Sequence, residues 1–288
     1  MAESWPMAEL PAVESTGAEL AEQNSGVAAG RGRGQRLLDA AWPPLAALVI
    51  LVGLWEAAVY LLAIPTYVIP APHRIVEVLL RDIASVSYHA SVTLMEAVSG
   101  FVIGSLLGAL LGIVFAYSPT VSRGLLPYVI AANTIPVVAI APIIIIWFGH
   151  GMGSKIAVTA FLSFFPLAIN MMKGLKSYDP VVMDLFHVCA ASPWQRFWKM
   201  RLPSALPYVF VGLKLNVTFS VIGAIVAEFV QADKGLGFVI MTTYRLLNMP
   251  KLWAAMLVSA LIGIVFFAAV ALLERVFIPW HNSMREDA

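Results

Sequence analysis

The stretch Asp184–Pro207, DLFHVCAASPWQRFWKMRLPSALP, is the longest polar-containing connection between two strongly apolar segments of the chain. It carries Arg196, Lys199 and Arg201, the aromatic residues Phe186, Trp194, Phe197 and Trp198, and a Leu202-Pro203 pair that closes it. Ser192-Pro193 predicts a helix start: a hydroxyl at the N-cap, then proline at the first helical position, where its missing N–H costs nothing. Beyond it Trp194, Phe197, Trp198 and Arg201 recur at i, i+3, i+4 and i+7, one helical face. The pattern predicts a short amphipathic helix beside a membrane, basic on one side and aromatic on the other. Three roles suit it: lying among lipid headgroups, forming an ordinary cytoplasmic loop under the positive-inside bias, or docking a soluble partner.

The flanking sequence explains why a membrane is invoked. The chain has 288 residues, 60% of them hydrophobic and only 12% charged, against about 45–50% apolar and about 25% charged in soluble domains. The composition predicts an all-α polytopic membrane protein. A net charge of +1 argues against a nucleic-acid partner, and the single Cys189 cannot form an internal disulfide. Residues 1–40 are a polar lead, expected to be disordered and cytoplasmic, whose Arg31, Arg33 and Arg36 hold the N-terminus inside. The first apolar run starts too far into the chain, and is too long, for a signal peptide.

A helical span takes about 20 apolar residues. Six candidates follow: Trp42–Ile64, Ala90–Tyr117, Leu125–Phe148, Ile156–Met172, Leu206–Val230 and Leu252–Phe277. They make a membrane domain over 41–282, a cytoplasmic loop over 173–205 and a tail over 283–288. Arg123, Lys173, Lys176, Arg196, Lys199, Arg201 and Arg285 then fall inside. Arg74, Arg81, Lys155, Lys234, Arg245 and Lys251 fall in outer loops. The balance favours both termini inside.

Within the spans, Gly100, Gly104, Gly108 and Gly112 recur every four residues and predict one helix face against which a neighbouring backbone packs closely. The entry to that span, His89 to Glu96, is polar enough to be placed at the outer surface. Pro127, Pro136 and Pro142 interrupt the third span. It is either a kinked helix or a wall or gate of a solute pathway, with Asn133, Thr134 and Pro136 as the candidate gate. The outer loop Pro65–Tyr88 holds an amphipathic stretch, Ile75–Ile83, suited to the membrane interface or to an external binding protein. Glu56, Glu96, Lys214 and Glu228 are the intramembrane charges. Each lies near a predicted span end or can snorkel, Lys214 snorkelling or pairing with phosphate, and no buried chain of acids suggests a proton relay. Pro279-Trp280-His281 reads as an interfacial anchor.

No phosphate-binding GxxxxGK[ST] occurs; the glycine-rich Gly149–Lys155 has serine before lysine and joins two apolar spans. The five histidines are scattered, so neither a metal site nor a catalytic triad is predicted.

The Asp184–Pro207 stretch resembles the cytoplasmic loop of the binding-protein-dependent permeases, the membrane subunits of bacterial ABC importers. That family's loop reads Glu-Ala-Ala, three residues, Gly, and then, further on, an apolar position and Leu-Pro. Aligned on Leu202-Pro203, the family glycine falls on Ala190 and the Glu-Ala-Ala on Asp184, Leu185 and Phe186. The chain therefore departs from the pattern in its first half. Ala191-Ser192-Pro193-Trp194-Gln195-Arg196-Phe197 and Leu202-Pro203 match common family wording, as do VTLMEAVSGF, WFGHGMGSK and VIGAIVAEFVQADKGLGF. The resemblance covers roughly residues 40–282.

The resemblance implies a type I importer permease fold in the bacterial inner membrane. It also implies a homodimer, a solute-binding protein outside, and ATP-binding subunits inside that hold the ATP, so that this chain binds no cofactor and catalyses no covalent step. It makes Asp184, Ala190, Ala191, Ser192, Pro193, Trp194, Arg196 and Phe197 the docking residues for the ATPase. The wording of the second and fifth spans resembles the branch serving thiamine-pyrimidine precursors or riboflavin, beside relatives serving nitrate, taurine and alkane sulfonates. Two rivals make different demands. A secondary transporter requires inverted repeats and intramembrane acids, and a membrane scaffold has no need of the third-span prolines.

Overall fold

The computed structural model describes residues 33–279, with side chains from Trp42 onward. Residues 1–32, with Arg31 and most of the polar lead, lie outside the described residues, as do the Trp280-His281 anchor and the 283–288 tail. Contacts divide the chain into two units, Met1–Leu62 and Ala63–Ala288. The first holds helix α1 (Arg33–Leu61) with Pro43 and Pro44 inside it, so residues 33–40, read as lead, are helical. Its Trp42–Leu61 portion, 20 residues, is long and apolar enough to span.

The second unit is built from α2 (Pro72–Arg81), α3 (Ile83–Tyr117), α4 (Pro119–Asn133), α5 (Val137–Phe148), α6 (Met152–Leu175), α7 (Pro180–Val188), α8 (Pro193–Arg196), a π turn (Phe197–Arg201), α9 (Leu202–Val230), α10 (Leu236–Arg245) and α11 (Met249–Phe277). No strand occurs among the described residues. Prolines open α2, α4, α7 and α8 within their first turn, where no hydrogen bond is lost.

Among the described residues five helices are long and apolar enough to cross a membrane, and the pair α4 and α5 makes up to six. That pair was read as one span interrupted by its prolines, either kinked or forming a gate, and it is bent by 104°. Pro127 and Pro142 are carried inside helices, and the break falls at Thr134–Pro136. A proline disfavours helical backbone in the residue before it, and Pro136 itself is extended, with ψ 125°. The chain can only re-enter a helix at Val137.

The core forms around α6, which packs against α3 on one side and α9 on the other. The α3 glycines make this possible. A Cβ on Gly104 would stand 2.6 Å from the Ala160 carbonyl oxygen, and one on Gly112 would stand 2.6 Å from Met171 Cβ. Gly100 meets Thr159 and Gly108 meets the Phe164 carbonyl in the same way. On the other flank, Gly212 and Gly223 of α9 bring that helix against Leu167 and Thr159. Lipid gives helices no hydrophobic reason to associate, so such close backbone packing supplies much of the adhesion.

Leu202-Pro203 does not close the docking helix. Helix runs unbroken from Pro193 to Val230, 38 residues. Pro203 and Pro207 have no N–H for the carbonyls one turn earlier. Just ahead of them the hydrogen bonding lengthens by one residue, with the Leu202 N–H reaching Phe197 O, and the helix survives by widening instead of ending.

Candidate functional site

The predicted docking residues lie on the segment from α7 through α8 to the start of the π turn, and local devices shape its backbone. Asp179 caps α7 through a hydrogen bond from Val181 N–H at 2.8 Å. At the other end the Ala190 N–H donates to His187 O and the Ala191 N–H to Phe186 O, both at 3.0 Å. This is a Schellman closure, and it requires a left-handed residue between helix and exit. Ala190 occupies that position with φ 51°. The backbone thus explains why glycine suits this place, and the alanine bears a strain that glycine would not.

Ser192 then starts α8 as expected. Its hydroxyl accepts from Gln195 N–H at 3.2 Å, while the Gln195 side chain accepts from Ser192 N–H at 2.9 Å, a reciprocal capping box. The aromatic face divides in two. Trp194 and Trp198 are 69% and 49% exposed, whereas Phe197 turns inward against Met171, Leu175 and Ala205. Arg201, expected beside the tryptophans, is tucked away with its guanidinium 4.8 Å from the Tyr117 ring and 4.9 Å from the Tyr178 ring. Arg196 Nη1 lies 2.7 Å from His187 Nε2, which braces α8 against α7. Asp184, Ala190, Ser192 and Pro193 are exposed and Ala191 is half-buried. A hollow of about 390 Å³ between α7 and α8 is lined by Leu185, Phe186, Cys189, Ala191, Gln195 and Lys199. Tyr117, Tyr178 and His187 escaped the sequence reading because nothing in local spacing links Tyr117 or Tyr178 to Arg201.

The candidate gate residues Asn133, Thr134 and Pro136 sit together at the α4–α5 break, all exposed. Thr134 Oγ1 donates to Ala131 O at 2.7 Å and helps close α4. Between α3, α5 and α6 lies an apolar cavity of about 460 Å³ whose lining includes Ile103, Trp147, Phe148, Phe161 and Phe164.

The charged residues depart most from expectation. Lys155, placed in an outer loop, is buried in α6 with its ammonium 3.3 Å from Glu96 Oε1. Glu228 lies near the end of α9 as expected, but it and Glu96 are buried, at 1% and 0% exposed. Thr93, part of the supposed surface entry, is fully buried and donates to Glu228 Oε1 at 2.7 Å. Polar groups at this depth are costly in lipid and persist where they pair in the bundle interior. Lys214 does not snorkel; it meets Glu274 of α11 at 2.5 Å. Outside the spans, Asp82 bonds Lys251 at 2.6 Å, and that lysine holds its carboxyl below the usual range. Among the described residues, no group of three or more His, Cys, Asp or Glu is placed to hold a metal ion.

Residues 100–279 match the family model described as binding-protein-dependent transport system inner membrane component. The chain is 35% identical over 249 residues to the formylaminopyrimidine transport permease protein ThiX of Halalkalibacterium halodurans, covering 86% of this chain and 99% of that protein. It is 32% identical to the riboflavin transport system permease protein RibX of Chloroflexus aurantiacus, covering 84% and 92%. It is 30% identical to a putative aliphatic sulfonates transport permease protein, SsuC, of Bacillus subtilis, covering 81% and 86%. Among solved structures, the fold is similar to that of the MetNI methionine ABC transporter in an inward-facing crystal form. That match has a TM-score of 0.55 and 18% identity, and covers 67% of this chain and 94% of that one. With the all-helical bundle, the broken α4–α5 pair and the capped loop leading into α9, these matches place the chain in the binding-protein-dependent transport system inner membrane component family, as a permease subunit of an ABC importer.

Proposed function

We propose that this permease docks its ATPase through the α7–α8 segment and moves a small heteroaromatic vitamin precursor, of the thiamine-pyrimidine or riboflavin type, between two paired copies of the chain. In this reading both termini and the segment lie in the cytoplasm, where the basic residues of loop 173–205 favour them. ATP is bound and hydrolysed by the partner subunits, a solute-binding protein delivers solute from outside, and this chain supplies the path.

The observation that carries the docking role is the unbroken helix from Pro193 to Val230. A partner that grips Trp194, Trp198 and the Arg196–His187 brace holds the end of a rod that continues across the membrane. Displacement of the loop therefore becomes rocking of α9, with no flexible joint to absorb it. ATP drives such a change to the extent that it binds the closed arrangement of its subunits more tightly than the open one.

The substrate class is supported by the relatives named for formylaminopyrimidine and riboflavin, and by the aromatic faces of Trp147, Phe148, Phe161 and Phe164 around the apolar cavity. A planar, uncharged ring suits such a lining. The relatives named for sulfonates and taurine support a second reading, in which the same machinery carries a small anion.

The test is uptake and ATP hydrolysis by the reconstituted complex. Arg196→Glu, or Phe197→Pro, is expected to leave insertion intact while separating hydrolysis from uptake. Normal coupled transport in both variants rules out docking at this segment.

A further inference from the structure

The turn that leads from α9 into α10 is fastened by a buried carboxylate. Three successive amides of the turn converge on side chains of α3 and α9. Gly235 N–H donates to His89 Nδ1 at 3.1 Å, Leu236 N–H donates to Thr93 Oγ1 at 2.8 Å, and Gly237 N–H donates to Glu228 Oε2. The Thr93 hydroxyl in turn donates a hydrogen bond to Glu228 Oε1, so the carboxylate receives one donor on each oxygen. The fit leaves no space: a Cβ on Gly235 would strike the Glu228 carboxylate, and one on Gly237 would stand 2.7 Å from Glu228 Cβ. Gly235 also adopts φ 104°, a conformation that side chains disfavour. The turn is therefore seated on the acid itself, with α10 following it onto Val86 and Ala255.

The charge count around this seat is uneven. Among the described residues Lys155 pairs with Glu96, and Glu228 has no ion pair of its own. Apart from its ion pair with Lys155, Glu96 receives no hydrogen bond among the described residues. Glu228 is compensated chiefly by Thr93 and the turn amide. If the turn lifts, Glu228 loses the Gly237 amide but keeps the Thr93 hydroxyl, and the buried acid is never left bare. A buried carboxylate is costly when it has no donor, and Thr93 supplies one to Glu228 whether the turn is docked or released.

We propose that Glu228 is a positioning residue that latches the 231–237 turn and α10 to the α3–α6–α9 core, and that release of this latch accompanies solute entry. The transport half of this statement rests on the importer reading; the latch itself does not. His89 and Thr93 serve the latch, and Thr93 holds the acid when it opens.

The test uses the full chain in lipid nanodiscs and, separately, in complex with its ATPase subunits. Hydrogen exchange followed by mass spectrometry reads local opening. In Glu228→Ala and Thr93→Val, exchange across 231–246 is expected to rise by about tenfold or more, the worth of one charge-assisted hydrogen bond, while 100–112 remains as in the wild type. Glu228→Gln, which keeps one acceptor, is expected to fall between. In the complex, the same variants are expected to lose uptake while retaining basal ATP hydrolysis. Unchanged exchange over 231–246 in both Glu228→Ala and Thr93→Val overturns the latch, as does a rise spread through the whole protein in Thr93→Val. Local opening with undiminished uptake overturns its role in transport. Failure of the wild-type complex to import any solute bears on the importer reading alone, because the exchange result stands without it.

Discussion

Substituting Gly104 by alanine tests the packing on which the bundle depends. The added Cβ would lie 2.6 Å from the Ala160 carbonyl oxygen and 2.8 Å from Ser163 Cβ, where ordinary contact begins at 3.4 Å. A flexible side-chain tip could swing aside, but a carbonyl within α6 cannot, so α3 and α6 must part by several tenths of an ångström. Overpacking costs about 1–3 kcal/mol, and a rigid backbone neighbour puts this site near the top of that range. Alanine returns up to about 1 kcal/mol through its better helix propensity, so the net loss is about 2 kcal/mol. Gly263 of α11 is the control, since a Cβ there meets nothing within 4 Å. Its alanine variant is expected to be neutral or to gain up to about 1 kcal/mol. Equilibrium unfolding of the purified chain by titration with a denaturing detergent measures both. Wild-type stability in Gly104→Ala, or an equal loss in Gly263→Ala, refutes the close-packing argument.

Other substitutions follow from single contacts. Ala190→Gly is expected to stabilise the docking segment by about 1 kcal/mol, by removing left-handed strain from a side chain, and lowered proteolysis between α7 and α8 would register it. Lys214→Met leaves Glu274 with its cation gone and is expected to cost about 1–3 kcal/mol, much of it recovered in Lys214→Met/Glu274→Leu; a double-mutant cycle measured by detergent unfolding checks this. Asp82→Asn removes the bond to Lys251 at a cost of at most about 1 kcal/mol, because the pair is partly exposed. Since the folded pKa of Asp82 lies below its unfolded value, this contribution is present above the ordinary carboxylate pKa of about 4 and disappears as pH falls below it. Wild type and Asp82→Asn should therefore converge in stability in strong acid, and a gap that widens there contradicts the assignment.

Much of this architecture was legible because membrane helices advertise themselves through composition and local spacing. The glycine repeat of α3 identified the face that meets α6, and Ser192-Pro193 marked the start of α8, because both signals lie within a few residues of one another. The buried charges were not legible for the opposite reason. Glu96, Lys155 and Glu228 come from three helices; taken alone, the two glutamates looked like residues near span ends and the lysine like part of an outer loop. Only the packing of α3 and α9 on α6 brings them together. Thr93 was misread for the same reason, since a polar run at a helix entry resembles surface until another segment, the Gly235–Gly237 turn, is laid over it. The Leu202-Pro203 pair misled in a different way. Proline deletes a hydrogen bond, but a π turn one step earlier absorbs the loss and lets the helix continue. At Pro136 the chain has no such relief, and the helix breaks.

The central claim is that the capped segment ahead of α9 is where an ATP-hydrolysing partner takes hold. The most direct measurement uses the lone thiol, Cys189, which is exposed beside it. With Cys189→Ser to remove that thiol and Ser192→Cys to place a new one at the helix cap, cross-linking in native membranes of the source cell should yield one dominant adduct with an ATP-binding protein, diminished when ATP and its analogues reset the complex. If Ser192→Cys is accessible from the cytoplasm yet yields no adduct with any ATP-binding protein, the segment is not the docking site and the account of coupling fails.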